Sequence, residues 1–164
     1  MDRGVETTLV WQAPEGRGQK GNEERAMREG IIHPDLLAHL RRLGHGESIA
    51  VIDWANPSYA AAREDEKPLF DFGYAPEVIS ARQALEGLAK TMVVEKIYYA
   101  SEMPGAIGAE ATEELLSLVS GAERSAVRHA VLKDFIARSQ LIIRTGAPGN
   151  YLNFVLQVGA EKWE

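Results

Sequence analysis

No cysteine occurs anywhere in the 164-residue chain, which removes disulfides, thiolate catalysis and Cys-ligated zinc together. No apolar run approaches the ~18 residues that would suggest a membrane span. The opening Met1-Asp2-Arg3-Gly4 lacks the apolar stretch of a secretory signal, so the cytoplasm is the expected location. Positive charge is scarce: 18 Lys and Arg against 24 Asp and Glu leave a net charge of -6, which argues against nucleic acid or a membrane as a partner. A phosphate loop and a nucleophile elbow are missing too. His33 and His39 do not share a helix face as metal ligands would, and Gly105-Ala106-Ile107-Gly108 is no dinucleotide fingerprint. Neither a metal nor a cofactor is expected.

What remains is an ordinary globular composition, 45% hydrophobic, in a chain long enough to cover both faces of one sheet. Residues 1–29 read as a polar extension, either mobile or ordered only against a neighbouring subunit, with a short edge strand over Val5 to Trp11. A single domain is expected over residues 30–164. His33-Pro34-Asp35 opens a helix, Leu36, Leu37, Leu40 and Leu43 recur at helical spacing, and Gly44 is the expected terminator. A short apolar strand spans Ser48 to Ile52, and Asn56-Pro57-Ser58 breaks it into a loop. The pattern then predicts strands near 69–72, 96–100, 125–128, 141–143 and 151–158. Helices are expected from Pro76 to about Lys90, with Ile79, Ala84, Leu85 and Leu88 buried, and near 110–119 and 131–138. Such alternation implies an α/β three-layer sandwich with a mixed, mostly parallel sheet between helices. The last two strands are close enough in sequence to form an antiparallel pair.

Two polar clusters stand at strand boundaries, and together they suggest a single polar pocket. Leu43-Gly44-His45-Gly46 places an imidazole just before the first strand, and Asp53 ends that strand. Near the C-terminus, Arg144-Thr145-Gly146 leads to Tyr151-Leu152-Asn153. His45 can give and take a proton at neutral pH; an ordinary surface or helix-capping histidine is the competing reading. Asp53 lies where ligands collect in parallel sheets, or else caps its own loop. His129 follows a strand and precedes a helix, so it stands at a strand exit or is merely a first-turn helix residue. Tyr151 and Asn153, two apart on the last strand, would share one face and suit recognition of hydroxyls, or form an unremarkable half-buried surface.

Taken in order, Leu43-Gly44-His45-Gly46 with Asp53, His129, and Ile143-Arg144-Thr145-Gly146 with Tyr151-Leu152-Asn153 resemble the sugar mutarotase family that includes D-ribose pyranase and L-fucose mutarotase. The resemblance covers about Gly30 to Gly159. It implies an α/β sandwich assembled as a homo-oligomer, typically a decameric ring, with pockets shared between adjacent subunits. It implies His45 as the catalytic acid/base, with Asp53, His129, Tyr151 and Asn153 holding a monosaccharide. There are departures: Ala147 stands where the family usually has Glu, Trp54 where a smaller residue is common, and Lys133-Asp134-Phe135 in place of the fucose branch's aromatic-Glu-Arg run.

The function expected is cofactor-free interconversion of sugar anomers, and of ring sizes, by ring opening and reclosure. Leu-Gly-His-Gly and Ile79-Ser80-Ala81 lean towards L-fucose or a related sugar; His129 and Arg144 lean towards D-ribose. Two other readings use the same residues: a non-catalytic sugar-binding ring that assists uptake or sensing, and a structural oligomer with a vestigial site.

Overall fold

The computed structural model describes residues 30–64 and 66–160; the extension and the strand expected at Val5 to Trp11 lie outside them. The described elements are α1 (Pro34–Leu40), β1 (Ser48–Ile52), α2 (Ser58–Glu64), β2 (Leu69–Asp71), α3 (Ala81–Thr91), β3 (Val94–Ala100), α4 (Met103–Ile107), α5 (Ala109–Ser117), β4 (Glu123–Val127), α6 (His129–Arg138), β5 (Leu141–Arg144) and β6 (Phe154–Val158).

The strands form one six-stranded sheet in the order β2-β5-β1-β6-β3-β4. β1, β2 and β5 pair in parallel, as do β3 and β4, while β6 runs antiparallel to both β1 and β3. This is the expected α/β sandwich with a mixed, mostly parallel sheet. The expected pairing of the last two strands is wrong: β6 does not return beside β5 but crosses β1 to fill the slot between β1 and β3. Burial explains the choice. Ile49, Ala50, Val51 and Ile52 are all inaccessible, as are Phe154, Val155 and Leu156 to within 2%. Successive strand residues face opposite sides, so such runs need cover on both faces, which only the sheet centre supplies. Leu85 and Leu88 of α3, with Leu132 and Ile136 of α6, pack into this core.

Local chemistry fixes the helix starts. Pro34 takes the first turn of α1, and His33 Nδ1 accepts the Leu36 amide at 3.2 Å. α1 closes on Arg41, not on Gly44, and the left-handed residue is Gly46 at φ 86°. α3 begins at Ala81, later than Pro76, because Ser80 and Gln83 form a reciprocal capping box. Residues 75–79 instead form a turn seated on Gly146, whose N–H donates to Ile79 O and whose carbonyl accepts from Glu77 N. A Cβ on Gly146 would lie 2.4 Å from two backbone oxygens of that turn, so the close approach depends on glycine. Ile79 is consequently partly exposed instead of buried. The stretch expected as loop at Ser58 is the first residue of α2, where Pro57 and the Ala60-Ala61-Ala62 run favour helix.

Candidate functional site

The antiparallel insertion of β6 decides where the polar residues meet. Val51 of β1 pairs with Phe154 of β6, so the end of β1 and the start of β6 coincide. β3 also opposes β6, and β4 runs with β3; the exit of β4 into α6 therefore opens on the same sheet edge. Asp53, Asn153, His129 and Tyr151 thereby line one cavity of about 340 Å³.

Asp53 and Asn153 form its floor, 4% and 1% exposed. The Asn153 amide donates to Asp53 Oδ2 at 2.7 Å, while its oxygen accepts the Asp53 backbone N–H at 3.1 Å and the Asn56 side-chain amide at 3.2 Å. Asp53 Oδ1 accepts from Ala55 N at 3.1 Å. A buried carboxylate is tolerable only with such partners, and here they also fix its orientation.

The wall is aromatic. His129 and Tyr151 meet edge to face, ring centroids 5.0 Å apart at 75°. The His129 backbone N–H donates to both oxygens of Glu102, at 3.1 and 2.9 Å. That bond is the main reason the Glu102 carboxyl titrates below its usual range. Among the described residues, His129 Nδ1 is buried without a hydrogen-bond partner. An orphaned N–H there would cost more than an orphaned lone pair, so of the two neutral tautomers the one protonated on Nε2 is the cheaper.

Tyr151 does not lie on β6 as expected. β6 starts at Phe154, and Asn150 and Tyr151 are both left-handed, at φ 62° and 64°. Tyr151 and Asn153 therefore reach the cavity from a turn and not as alternate residues of one strand face.

His45 is elsewhere. It precedes β1, whereas Asp53 follows it, so the five residues of β1 separate them, roughly 16 Å of strand. The expected single polar pocket within one chain is thus two sites at opposite sheet edges. His45 lines a different cavity of about 480 Å³ with Leu40, Leu43, Met92, Val93 and Val158. Its side chain is 62% exposed, and Nε2 lies 2.7 Å from Glu95 Oε2.

Three residues at these sites were not nominated for them from the sequence. Lys133 lines the Asp53 cavity; lying four residues after His129 on a helix, it was findable from spacing. Asn56 and Glu95 were not, since one depends on a turn and the other on a strand irregularity. Of the departures, Ala147 is fully buried, its carbonyl accepting from Trp54 N at 3.1 Å. Trp54 faces a separate cavity with Tyr74 and Arg144 and leaves the Asp53 cavity clear. Among the described residues, no three His, Asp or Glu side chains converge as a metal ligand set would require. No described helix is long and apolar enough to cross a membrane.

Comparison with known proteins covers the same part of the chain. Positions 27–161 match the RbsD / FucU transport protein family. The D-ribose pyranase of Streptomyces coelicolor is 31% identical over 132 residues, spanning 79% of this chain and 95% of the relative. That of Corynebacterium glutamicum is 28% identical over 132 residues, spanning 80% and 96%. Among solved structures, Bacillus subtilis RbsD complexed with D-ribose superposes with a TM-score of 0.72 at 27% identity, covering 81% of this chain and 97% of that one. The fucose mutarotase of Streptococcus pneumoniae in complex with L-fucose shares the fold, with a TM-score of 0.59 at 19% identity over 80% and 95%.

Proposed function

The chain belongs to the RbsD / FucU transport protein family, a family of sugar isomerases, and on that premise we propose that it is a D-ribose pyranase. The preference for L-fucose in the sequence analysis gives way, because the similar curated relatives are D-ribose pyranases. The observation that carries the reading is the buried Asp53–Asn153 pair beneath His129 and Tyr151, acceptors and donors suited to ring hydroxyls in a cavity of monosaccharide scale.

The reaction needs proton movement alone. The anomeric hydroxyl loses its proton, the bond from the anomeric carbon to the ring oxygen breaks with its electron pair going to that oxygen, and the oxygen is protonated. Reclosure through another hydroxyl changes ring size. A positioned imidazole suits both transfers and contributes roughly 10²–10⁴-fold; His45 is assigned that role. Because His45 and the Asp53 cavity lie at opposite edges of one chain, the proposal includes a homo-oligomer, a ring of ten by the family's pattern, in which one subunit's His45 serves its neighbour's cavity. A cytoplasmic location is part of the same proposal.

The test is saturation-transfer NMR of ring-form exchange on D-ribose, L-fucose, D-galactose and L-rhamnose, with His45→Ala as control. Exchange above the spontaneous rate for D-ribose, lost in the variant, is the expected result. Acceleration of L-fucose alone would return the assignment to the mutarotase branch. Binding of a sugar without any exchange would leave a sugar-binding ring.

A further inference from the structure

His45 stands on an exposed turn, where a side chain of this type ordinarily samples several rotamers, yet proton transfer requires one nitrogen held towards the sugar. The turn itself is tied down: Gly46 N donates to Val158 O at 2.9 Å, and Val158 N to Glu47 O at 2.8 Å. Among the described residues one group holds the ring, Glu95, whose carboxylate lies 2.7 Å from Nε2.

Glu95 reaches that position through a defect in the sheet. Val94 of β3 pairs with Val158 of β6, but Lys96 pairs with Gln157, so Glu95 is an extra residue on β3. Burial follows the extra residue: Val94 and Ile97, on either side of it, are both buried although three residues apart rather than two. Bulges re-aim a side chain that a regular strand would direct elsewhere. Gly159 makes room for this one, since a Cβ there would sit 2.8 Å from Val93 Cγ1, 3.2 Å from Glu95 Cβ and 3.3 Å from Glu95 N.

We propose that Glu95 is the positioning residue for His45, binding Nε2–H so that Nδ1 is the atom that exchanges protons with the sugar. This rests on the reading of His45 as the acid/base. Which imidazole nitrogen is basic follows from the bond the other makes. Nδ1 has no partner among the described residues. In the forward step Nδ1 takes the proton of the anomeric hydroxyl, Glu95 faces the imidazolium that results, and the same proton passes from Nδ1 to the ring oxygen as the ring opens. Atoms and charge balance, and Glu95 never touches the substrate. An ion pair with side chains 62% and 34% exposed adds little to stability, so loss of Glu95 should be felt in turnover and not in folding.

Glu95→Leu and Glu95→Gln are compared with His45→Ala and the unaltered protein in two measurements, ring-form exchange kinetics and long-range 1H–15N spectra of the His45 ring. Glu95→Leu is expected to lower kcat roughly 10–100-fold, by analogy with other groups that orient a functional histidine, with KM within about twofold. The ring nitrogens should change from a pure Nε2–H form to a mixture. Glu95→Gln, which keeps size and one hydrogen bond, should fall between and decides the matter if the leucine variant does not fold. Unchanged kcat in both variants, or unchanged ring nitrogens, overturns the proposal while His45→Ala inactivity keeps the enzyme assignment. Normal exchange by His45→Ala overturns the acid/base reading, and the role of Glu95 with it.

Discussion

Asn153 holds Asp53 from one hundred residues away, amide to carboxylate at 2.7 Å, with both side chains all but inaccessible. The same amide oxygen receives the Asp53 backbone N–H and the Asn56 side chain. One side chain thus joins the end of β1, the turn after it and the start of β6, and the cavity floor depends on it.

Asn153→Ala should therefore strand the Asp53 backbone donor in a dry site and leave its carboxylate poorly solvated. The expected loss is roughly 1–3 kcal/mol of stability, seen as a lower urea midpoint, together with a higher KM. Asn153→Asp should be worse near neutral pH, because it sets two carboxylates against each other. An aspartate variant as stable as the parent at pH 7 would mean that the pair is not the closed unit described.

The separation of His45 from Asp53 has a consequence for mixed assemblies. His45→Ala and Asp53→Asn should each be inactive alone. Refolded together from denatured chains, they should recover activity, since random pairing gives about a quarter of shared sites one intact contribution from each side. A site contained within one chain would recover nothing, so a silent mixture from correctly sized oligomers would sink the shared pocket.

Acid should loosen the sheet edge at β2 and β5. Burial raises the Asp71 carboxyl, but the Gly73 amide, the Tyr59 hydroxyl and Arg144 outweigh it and hold it below the usual range. Arg144 lies 3.0 Å from both carboxylate oxygens and also donates to Trp54 O. With the folded value depressed, the contribution is complete above the unfolded value of ~3.9 and is lost as pH falls through the folded one. Urea midpoints should drop below about pH 4, and Asp71→Asn should flatten that limb. An identical acid limb in the variant would remove Asp71 from the account.

Legibility in the sequence followed the range of the interaction. The strand Ser48 to Ile52 was readable because its four apolar residues are adjacent, and the opening of α1 because Pro34 acts locally. Asp53 and His129 were nominated from their places at strand exits, Tyr151 and Asn153 as neighbours on one strand face; the four converge, the last two from a turn and not from a strand. The antiparallel direction of β6 was readable but its slot was not, since that depends on which place in the sheet buries Phe154, Val155 and Leu156 on both faces. The start of α3 was written in Ser80 and Gln83, but Pro76 offered a competing signal, and only the contact with Gly146 decides between them. Glu95 was invisible because nothing in Val94-Glu95-Lys96 announces a bulge.

Tyr151 offers a test of how strain and contact are traded in the cavity wall. Its φ of 64° is unfavourable for a bulky residue, at roughly 1–2 kcal/mol, and is partly offset by the edge-to-face contact with His129, worth about 0.5–1.5 kcal/mol. Tyr151→Gly removes both together with a small entropic penalty, so stability should stay within about 1 kcal/mol of the parent. Tyr151→Val keeps the strain, worsens it through β-branching and loses the ring, so it should be less stable than the glycine variant by about 1–2 kcal/mol despite its larger apolar side chain. Both should bind D-ribose more weakly, because the wall beside His129 is gone. Thermal unfolding and calorimetric titration separate the two effects. A valine variant more stable than the glycine one would mean that burial outweighs backbone strain here, and Tyr151 would then be retained for packing rather than held in an unfavourable conformation to face the sugar.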